Sequence, residues 1–169
     1  RQYEPILYGW PEGAKRHWCG DRDQGDVWEI KKPAKNDLHP TQKPIEVPER
    51  AIRNSSRPGD IVLDCFGGSG STLIAAEKSG RQARLIELDP KYVDVIVRRW
   101  QEYVGAQAVR ESDGIRFDDL VGTADASVCD SADLQRAVSM KNAGKNIYIL
   151  KEDVFCQSVL AKGWLMVGG

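Results

Sequence analysis

The chain has 169 residues, of which 41% are hydrophobic and 29% are charged, and its formal net charge is −1. A chain of this length forms one domain, or one domain with an appendage, around a core of ordinary size. The near-neutral charge excludes a protein that coats nucleic acid by charge alone, because neutralised phosphates supply most non-specific affinity. The charge is still compatible with an enzyme that binds DNA in a cleft lined by basic residues. Five basic residues near the start could line such a cleft or belong to a solvated loop: Lys15, Arg16, Lys31, Lys32 and Lys35.

Targeting and metal-binding patterns are missing from the sequence. No run approaches the roughly 20 consecutive apolar residues of a membrane helix, and the first residues do not resemble a signal peptide. The four cysteines, Cys19, Cys65, Cys129 and Cys156, are scattered without metal-ligand spacing, so we predict no metal site. Reduced, structural thiols are typical of an intracellular protein. We therefore expect a cytoplasmic protein with no membrane partner.

The first part of the chain predicts a hairpin, an irregular segment and a helix. Pro5–Trp10 and Asp26–Ile30 have the β-branched and aromatic content of strands, and a polar loop connects them. Pro33–Pro44 contains prolines that forbid a continuous helix. Pro48 suits the first turn of a helix that runs to about Ser56.

The middle of the chain predicts the fold class. Ile61–Leu63 is fully apolar, as in a buried central strand of a parallel sheet. A glycine-rich loop leads into a helix over Ser71–Ser79, and a strand over Arg84–Leu88 and an amphipathic helix from Pro90 to Gly105 follow. This βαβ order predicts an α/β fold with a doubly wound, Rossmann-like sheet and a nucleotide-type site at the carboxyl ends of its strands.

Residues 121–169 differ in character from residues 1–120, and we treat them as a separate tail of unknown role, a small α/β appendage. Small and polar residues predominate at its start, which is typical of a linker. The tail is predicted to hold, in order, a linker, a helix, a strand and a helix: Gly122–Ser131, Asp133–Met140, Asn146–Leu150 and Asp153–Lys162.

The strongest local signal is the loop Leu63-Asp-Cys-Phe-Gly-Gly-Ser-Gly-Ser-Thr72. Its glycines let the backbone turn sharply and approach a ligand, and Asp64 can accept hydrogen bonds from a cationic amine. A phosphate-binding loop of the Walker type needs a lysine where this chain has Gly70. A dinucleotide fingerprint needs a third glycine where this chain has Leu73, so a nicotinamide-dependent oxidoreductase is the weaker alternative.

Glu87 stands at the end of the next predicted strand, 20 residues after Gly67. An acidic side chain at this place can accept both ribose hydroxyls of a bound adenosine. The alternative role, capping the helix that begins at Pro90, suits Asp89 better. The spacing therefore favours an adenosine-containing ligand.

Three motifs occur in one order: His39-Pro-Thr-Gln-Lys-Pro44, Asp64-Cys-Phe-Gly-Gly-Ser-Gly-Ser-Thr72 and Glu87-Leu-Asp-Pro-Lys-Tyr92. Together they resemble the motifs of the DNA adenine-N6 and cytosine-N4 methyltransferases of the permuted beta arrangement, over about residues 3–120. The resemblance implies S-adenosylmethionine as the cofactor, DNA as the substrate and a part in restriction-modification, and it leaves RNA open as a substrate.

The resemblance also implies which residues bind the cofactor. The segment from Thr41 to Lys43 would fold over the methionine end, the glycine loop would surround the methionine and ribose, and Glu87 would bind the ribose. Asp113 would touch the adenine, although a turn explains it equally well. His39 is either a ligand contact or a hydrogen-bonded loop residue, and Phe66 either lines the cofactor or packs in the core. The implied cofactor-binding residues are His39, Thr41, Gln42, Lys43, Asp64, Cys65, Phe66, Gly67, Gly68, Ser69, Gly70, Ser71, Thr72, Glu87 and Leu88.

The catalytic motif of this family is Asp, Asn or Ser followed by Pro-Pro and an aromatic residue, and the chain contains no Pro-Pro pair. In the permuted arrangement this motif precedes the segment resembled here. We therefore expect a truncated enzyme whose sheet lacks its central catalytic-motif strands, and we nominate no catalytic residue. The exposed strand edge would be covered by a complementary chain, a second copy or the tail. The alternatives are a non-catalytic cofactor-binding module that needs a complementary chain, and the oxidoreductase.

Overall fold

The computed structural model describes residues 3–31, 43–111, 113–121, 138–142 and 145–150. Helices and strands alternate through the middle of these ranges, as the sequence predicts. In chain order the elements are α1 (Glu46–Ser55), β1 (Ile61–Asp64), α2 (Ser71–Lys78), β2 (Gln82–Ile86), α3 (Pro90–Val104), α4 (Phe117–Val121), β3 (Val138–Asn142) and β4 (Lys145–Leu150).

The strands form one sheet in the order β1-β2-β4-β3. β1 pairs with β2 in parallel, with Asp64 opposite Leu85, and β2 pairs with β4 in parallel, with Ile86 opposite Leu150. β3 is antiparallel to β4. The α/β class and the βαβ unit β1-α2-β2 are therefore confirmed, and the carboxyl ends of β1, β2 and β4 lie at the same edge of the sheet.

β1 is an outer strand of this sheet, which corrects the expectation that it is central. The fourth strand is added on the far side of β2, because β4 pairs there in parallel. Across the ranges described above, no strand pairs with the second edge of β1. Within the described residues, the tail thus supplies a partner for β2 and not for β1.

The predicted N-terminal hairpin is wrong, since the structure has no strand within residues 3–31. Strand propensity reflects packing of side chains against neighbouring strands more than an intrinsic backbone preference. These segments have no such neighbours, as the exposure of their side chains shows: Leu7 is 98% exposed and Val27 is 78% exposed. The segment instead lies against α1, where the Cys19 N–H donates to the Asn54 carbonyl at 2.7 Å and Gln24 and Asn54 exchange two side-chain amide hydrogen bonds.

In the tail, the strand predicted at Asn146–Leu150 is confirmed as β4, whereas the helix predicted over Asp133–Met140 is wrong from Val138 onward, where β3 begins. Only two residues separate β3 from β4, which is a length typical of tight hairpins. Pairing along the whole length of β4 outweighs the weak helical pattern of a short segment. The linker over residues 122–131 and the helix over residues 153–162 lie outside the described residues.

The core lies between the sheet and the helices. α2 is buried at each position from Ser71 to Ala76, because α1 and α3 both pack against it and it also contacts β2. The largest buried side chains come from all these elements: Ile52, Val62, Leu63, Leu73, Ile74, Leu85, Ile96, Val97 and Trp100. No helix within the described ranges combines the length and the apolar character needed to cross a membrane.

Arg81 joins the ends of two helices beneath this core. Its side chain is only 5% exposed. The guanidinium donates to the Ser56 carbonyl at 2.7 Å and to the Ser56 hydroxyl at 3.2 Å, and it also donates to the Ser79 carbonyl. Ser56 and Ser79 are the C-caps of α1 and α2. Arg81 therefore donates to carbonyls that have no partner within the helix. Its positive charge also interacts favourably with the negative, C-terminal ends of the two helix dipoles.

Candidate functional site

The glycine loop connects the carboxyl end of β1 to the start of α2 and folds back onto the end of β2. The Gly67 N–H donates to the Ile86 carbonyl at 2.9 Å, and the Gly70 N–H donates to the Gly67 carbonyl at 2.8 Å. These two bonds hold the loop beside the last residue of β2. The loop and the residues after β2 therefore lie side by side at the edge where ligands bind in open parallel sheets. We refer to this place between the carboxyl ends of β1 and β2 as the crevice.

Two glycines of the loop are required because α3 packs closely behind it. A Cβ at Gly67 would lie 3.0 Å from the Ile96 Cδ1 atom and 3.3 Å from the Leu85 Cδ2 atom. A Cβ at Gly70 would lie 3.2 Å from the Ile96 Cγ2 atom, and Gly70 has a φ of +78°, which side chains of L-residues rarely adopt. The backbone can reach the crevice only because these positions carry no side chain.

Glu87 directly follows β2 and binds the loop. Its Oε2 atom accepts the Gly68 N–H at 2.7 Å, and its Oε1 atom accepts the Asp89 N–H at 3.0 Å. Asp89 is the N-cap of α3, since its carboxylate accepts the Lys91 N–H at 2.9 Å, so the prediction that Asp89 caps this helix is confirmed. A carboxylate offers about four lone-pair sites. Glu87 therefore retains capacity to accept about two more hydrogen bonds from a ligand.

Asp64 ends β1 on the other side of the crevice and is 7% exposed. Its Oδ1 atom accepts the Phe66 N–H at 2.9 Å. Burial raises the pKa of the Asp64 carboxyl, repulsion from Glu87 adds to the increase, and hydrogen bonds from Thr72 and from the Phe66 N–H oppose it. Two carboxylates that repel each other across a crevice create a site that favours a cationic group.

Replacing Asp64 with asparagine is expected to raise the melting temperature of the unliganded chain at neutral pH. A carboxyl whose pKa is higher in the folded state loses stability as the pH rises from its unfolded pKa through its folded pKa. The gain should vanish well below pH 3.8, the ordinary value for aspartate, where the carboxyl is protonated in both states. Thermal unfolding of both proteins across this pH range measures the effect, and a lower melting temperature for the variant at neutral pH would contradict it.

Two exposed apolar side chains flank the crevice. Phe66 is 79% exposed and Leu88 is 65% exposed. The core-packing alternative for Phe66 is therefore wrong. Leu88 directly follows Glu87, and Phe66 directly precedes the glycine that binds the end of β2. Both side chains are available to cover a planar apolar group bound at this edge.

The segment before α1 also reaches the site. The Ser71 hydroxyl donates to the Lys43 carbonyl at 3.0 Å, so Lys43 lies at the start of α2. The Lys43 ammonium forms an ion pair with Glu4. His39, Thr41 and Gln42 lie outside the described residues, and their predicted contacts stay predictions.

Sequence reasoning missed Arg99, whose guanidinium donates to the Ser69 carbonyl of the loop at 2.9 Å. It also missed Glu4, the partner of Lys43. Neither residue belongs to a recognisable motif. Only the pairing of α3 with the loop, and of the N-terminal segment with the start of α1, brings them to the site.

Two further predicted residues have specific surroundings. Burial raises the pKa of the Cys65 thiol, and the neighbouring Asp64 adds to the increase. Cys65 is therefore a protonated thiol at neutral pH. The Asp113 carboxylate accepts the Ile115 N–H at 3.1 Å and pairs with Arg110. Asp113 thus belongs to a turn, as the alternative interpretation predicts.

Comparison with known proteins gives a consistent result. A family model described as DNA methylase matches residues 10–98, more than half of the chain. The type II methyltransferase M.BglI of Bacillus subtilis is 39% identical over 103 residues, which cover 56% of this chain and 29% of that protein. The Escherichia coli K12 DNA adenine methyltransferase YhdJ is 42% identical over 79 residues, which cover 44% of this chain and 27% of that protein.

The type II methyltransferase M.Cfr9I of Citrobacter freundii is 38% identical over 99 residues, which cover 58% of this chain and 33% of that protein. The chain thus spans a third or less of the length of these relatives. Among solved structures, the Thermus thermophilus protein TTHA0409, crystallised with S-adenosyl-L-methionine, is 40% identical. The match covers 43% of this chain and 27% of that chain, and its TM-score of 0.35 is too low to establish a shared fold.

Proposed function

Because the chain belongs to the DNA methylase family, we propose that it carries the S-adenosylmethionine site of an enzyme that methylates adenine N6 or cytosine N4 in DNA. The observation that carries the proposal is the position of Glu87. It directly follows β2, and its carboxylate accepts the Gly68 amide of the glycine loop at 2.7 Å, with Asp64 at the end of the neighbouring strand. Both carboxylates thus lie at the carboxyl ends of parallel strands, where open α/β sheets bind their ligands.

The charge of the crevice favours this ligand over a nicotinamide dinucleotide. S-adenosylmethionine carries an ammonium and a sulfonium, and both are attracted by the carboxylates of Asp64 and Glu87. A dinucleotide would bring a doubly charged pyrophosphate to the same place, where two carboxylates repel it. The third glycine that a pyrophosphate site needs is replaced by Leu73, which is buried in the core.

The surrounding groups suit the other parts of the ligand. The remaining acceptor capacity of Glu87 matches the two ribose hydroxyls, and Phe66 and Leu88 can cover the adenine. α2 begins after Gly70 without a side-chain cap, so the amides of its first turn are available to the methionine carboxylate. Lys43 lies at this helix start and would meet the same carboxylate in competition with Glu4.

Methyl transfer also needs groups that hold the acceptor amine. When bound, the cofactor supplies an activated methyl group, and a flipped base must present its exocyclic nitrogen in line with that group. The residues described above bind and orient the donor side. We propose that the acceptor side comes from a Pro-Pro-aromatic motif on another segment or on a complementary chain, because these 169 residues contain no Pro-Pro pair.

Isothermal titration calorimetry tests the cofactor assignment. The chain is expected to bind S-adenosylmethionine and its demethylated product S-adenosylhomocysteine, and to show no heat of binding with NAD. An incompletely covered site is poorly preorganised, so we expect modest affinity. Binding of NAD without binding of the other two ligands would support the oxidoreductase alternative and overturn the proposal.

The 169-residue chain alone is expected to transfer no methyl groups to DNA. Oriented groups around the acceptor contribute on the order of several kcal/mol to such reactions, and we assign no residue of this sequence to that role. Incorporation of radiolabelled methyl groups into mixed-sequence duplex DNA measures this, with full-length YhdJ as the positive control and a parallel RNA substrate. Transfer by the chain alone would show that it contains an acceptor-binding group of its own.

A further inference from the structure

Arg99 contacts the glycine loop from α3. Its guanidinium donates to the Ser69 carbonyl at 2.9 Å and to the Ser69 hydroxyl at 3.2 Å. Burial lowers the pKa of Arg99, and no carboxylate pairs with it in the described part of the chain. Both hydrogen bonds of this half-buried guanidinium therefore go to one buried residue of the loop, Ser69.

The hydrogen bonds that continue from Ser69 have only one consistent direction. The Ser71 hydroxyl has one proton, which it donates to the Lys43 carbonyl at 3.0 Å. In its 3.3 Å contact with the Ser69 hydroxyl, Ser71 must therefore accept. The Ser69 hydroxyl therefore donates its proton to the Ser71 oxygen. The Ser69 oxygen in turn accepts from the Arg99 guanidinium, which can only donate.

The result is a head-to-tail series of hydrogen bonds from a guanidinium to a main-chain carbonyl. Such bonds polarise one another in a buried setting and strengthen in the same direction. The series crosses three elements that are far apart in sequence: α3, the glycine loop and the segment that enters α1. The link that joins the two segments is the 3.0 Å bond from the Ser71 hydroxyl to the Lys43 carbonyl.

We infer that Arg99, Ser69 and Ser71 form a relay that positions the Lys43 segment against the glycine loop, which makes Arg99 a positioning residue for the methionine half of the cofactor. The inference rests on the proposed function. α3 does not need Arg99 for its packing, because Ile96, Val97 and Trp100 form the buried face of that helix. The relay ends at Lys43 and not at Glu87, so its effect should be confined to the half of the ligand that Lys43 meets.

The test compares two ligands that differ only in that half. S-adenosylhomocysteine contains the amino-acid part, and methylthioadenosine lacks it. Arg99→Met is expected to weaken binding of S-adenosylhomocysteine about tenfold, the effect of one hydrogen bond to a charged group, and binding of methylthioadenosine less than about twofold. Ser71→Ala should show the same selectivity, and Arg99→Lys, which keeps a donor, should restore most of the affinity. Arg98→Met, an exposed neighbour on α3, is the matched control and should change neither affinity.

The relay also predicts non-additivity. The Arg99→Met/Ser71→Ala double variant should bind S-adenosylhomocysteine no more weakly than the weaker single variant, because each change breaks the same series. Equal losses for both ligands, or additive losses in the double variant, would overturn the inference. If Arg99→Met does not fold, Ser71→Ala and Arg99→Lys give the same comparison. A wild-type chain that binds neither ligand would instead refute the proposed function.

Discussion

Replacing Glu87 with alanine is expected to weaken binding of S-adenosylhomocysteine about 100-fold or more. Each hydrogen bond to a charged group contributes about 1.5–3 kcal/mol, and Glu87 would accept one from each ribose hydroxyl. A loss of about 1.4 kcal/mol corresponds to a tenfold change in affinity. The variant also removes the acceptor that holds the Gly68 amide at 2.7 Å. Calorimetric titration of both proteins measures the effect.

Two further variants separate ligand contact from support of the loop. Glu87→Gln keeps an acceptor for the Gly68 amide but replaces one oxygen with a donor, so it should fall between the wild type and Glu87→Ala. Glu102→Ala, an exposed carboxylate on α3, should leave the affinity unchanged. A Glu87→Ala affinity within about threefold of the wild type would remove the ribose assignment.

Replacing Arg81 with methionine is expected to lower the free energy of unfolding by about 3 kcal/mol. Methionine fills a similar volume but cannot donate, and a buried acceptor left without a partner costs about 1–3 kcal/mol. The carbonyls of Ser56 and Ser79 would both lose the guanidinium. The favourable interaction of the positive charge with the C-terminal ends of the two helix dipoles would also be lost.

Urea denaturation measures this loss, with Arg57→Met as the control because Arg57 is an exposed arginine on the turn before β1. The control should change stability by less than about 0.5 kcal/mol. A similar small change in Arg81→Met would mean that water satisfies the two carbonyls equally well. An unchanged urea m-value for both variants would confirm that the comparison concerns stability alone.

The elements that the sequence predicted correctly are those whose boundaries depend on local chemistry. α3 begins at Pro90, directly after its N-cap Asp89, and is followed by Gly105, whose φ is +68°. α2 is followed by Gly80, whose φ is +73°. Caps and left-handed glycines act within a few residues, so a linear pattern is sufficient to find them.

The elements that were missed depend on partners distant in the chain. Pro5–Trp10 has strand-like residues but no strand beside it, so its propensity has nothing to pair with. Val138 lies in a strand because β4 is adjacent, and β4 itself is held by β2. A short stretch of sequence does not show whether a strand-like segment will have another strand beside it to pair with.

The same distinction applies to the site. The loop and Glu87 were predicted because their spacing is fixed by a βαβ unit, and the structure places the Gly68 amide on Glu87. The contacts of Arg99 with Ser69 and of Lys43 with Glu4 join residues 30 and 39 positions apart. Nothing in the spacing of these residues indicates which partners they meet.

Hydrogen exchange followed by mass spectrometry tests most directly whether the crevice at the ends of β1 and β2 is the cofactor site. With S-adenosylhomocysteine added, we expect exchange to slow in peptides that contain Phe66–Thr72 and Ile86–Asp89. Exchange should stay unchanged in peptides from residues 5–31. NAD at the same concentration should change neither region. Protection that is missing from both crevice peptides, or equal protection by NAD, would contradict the assignment.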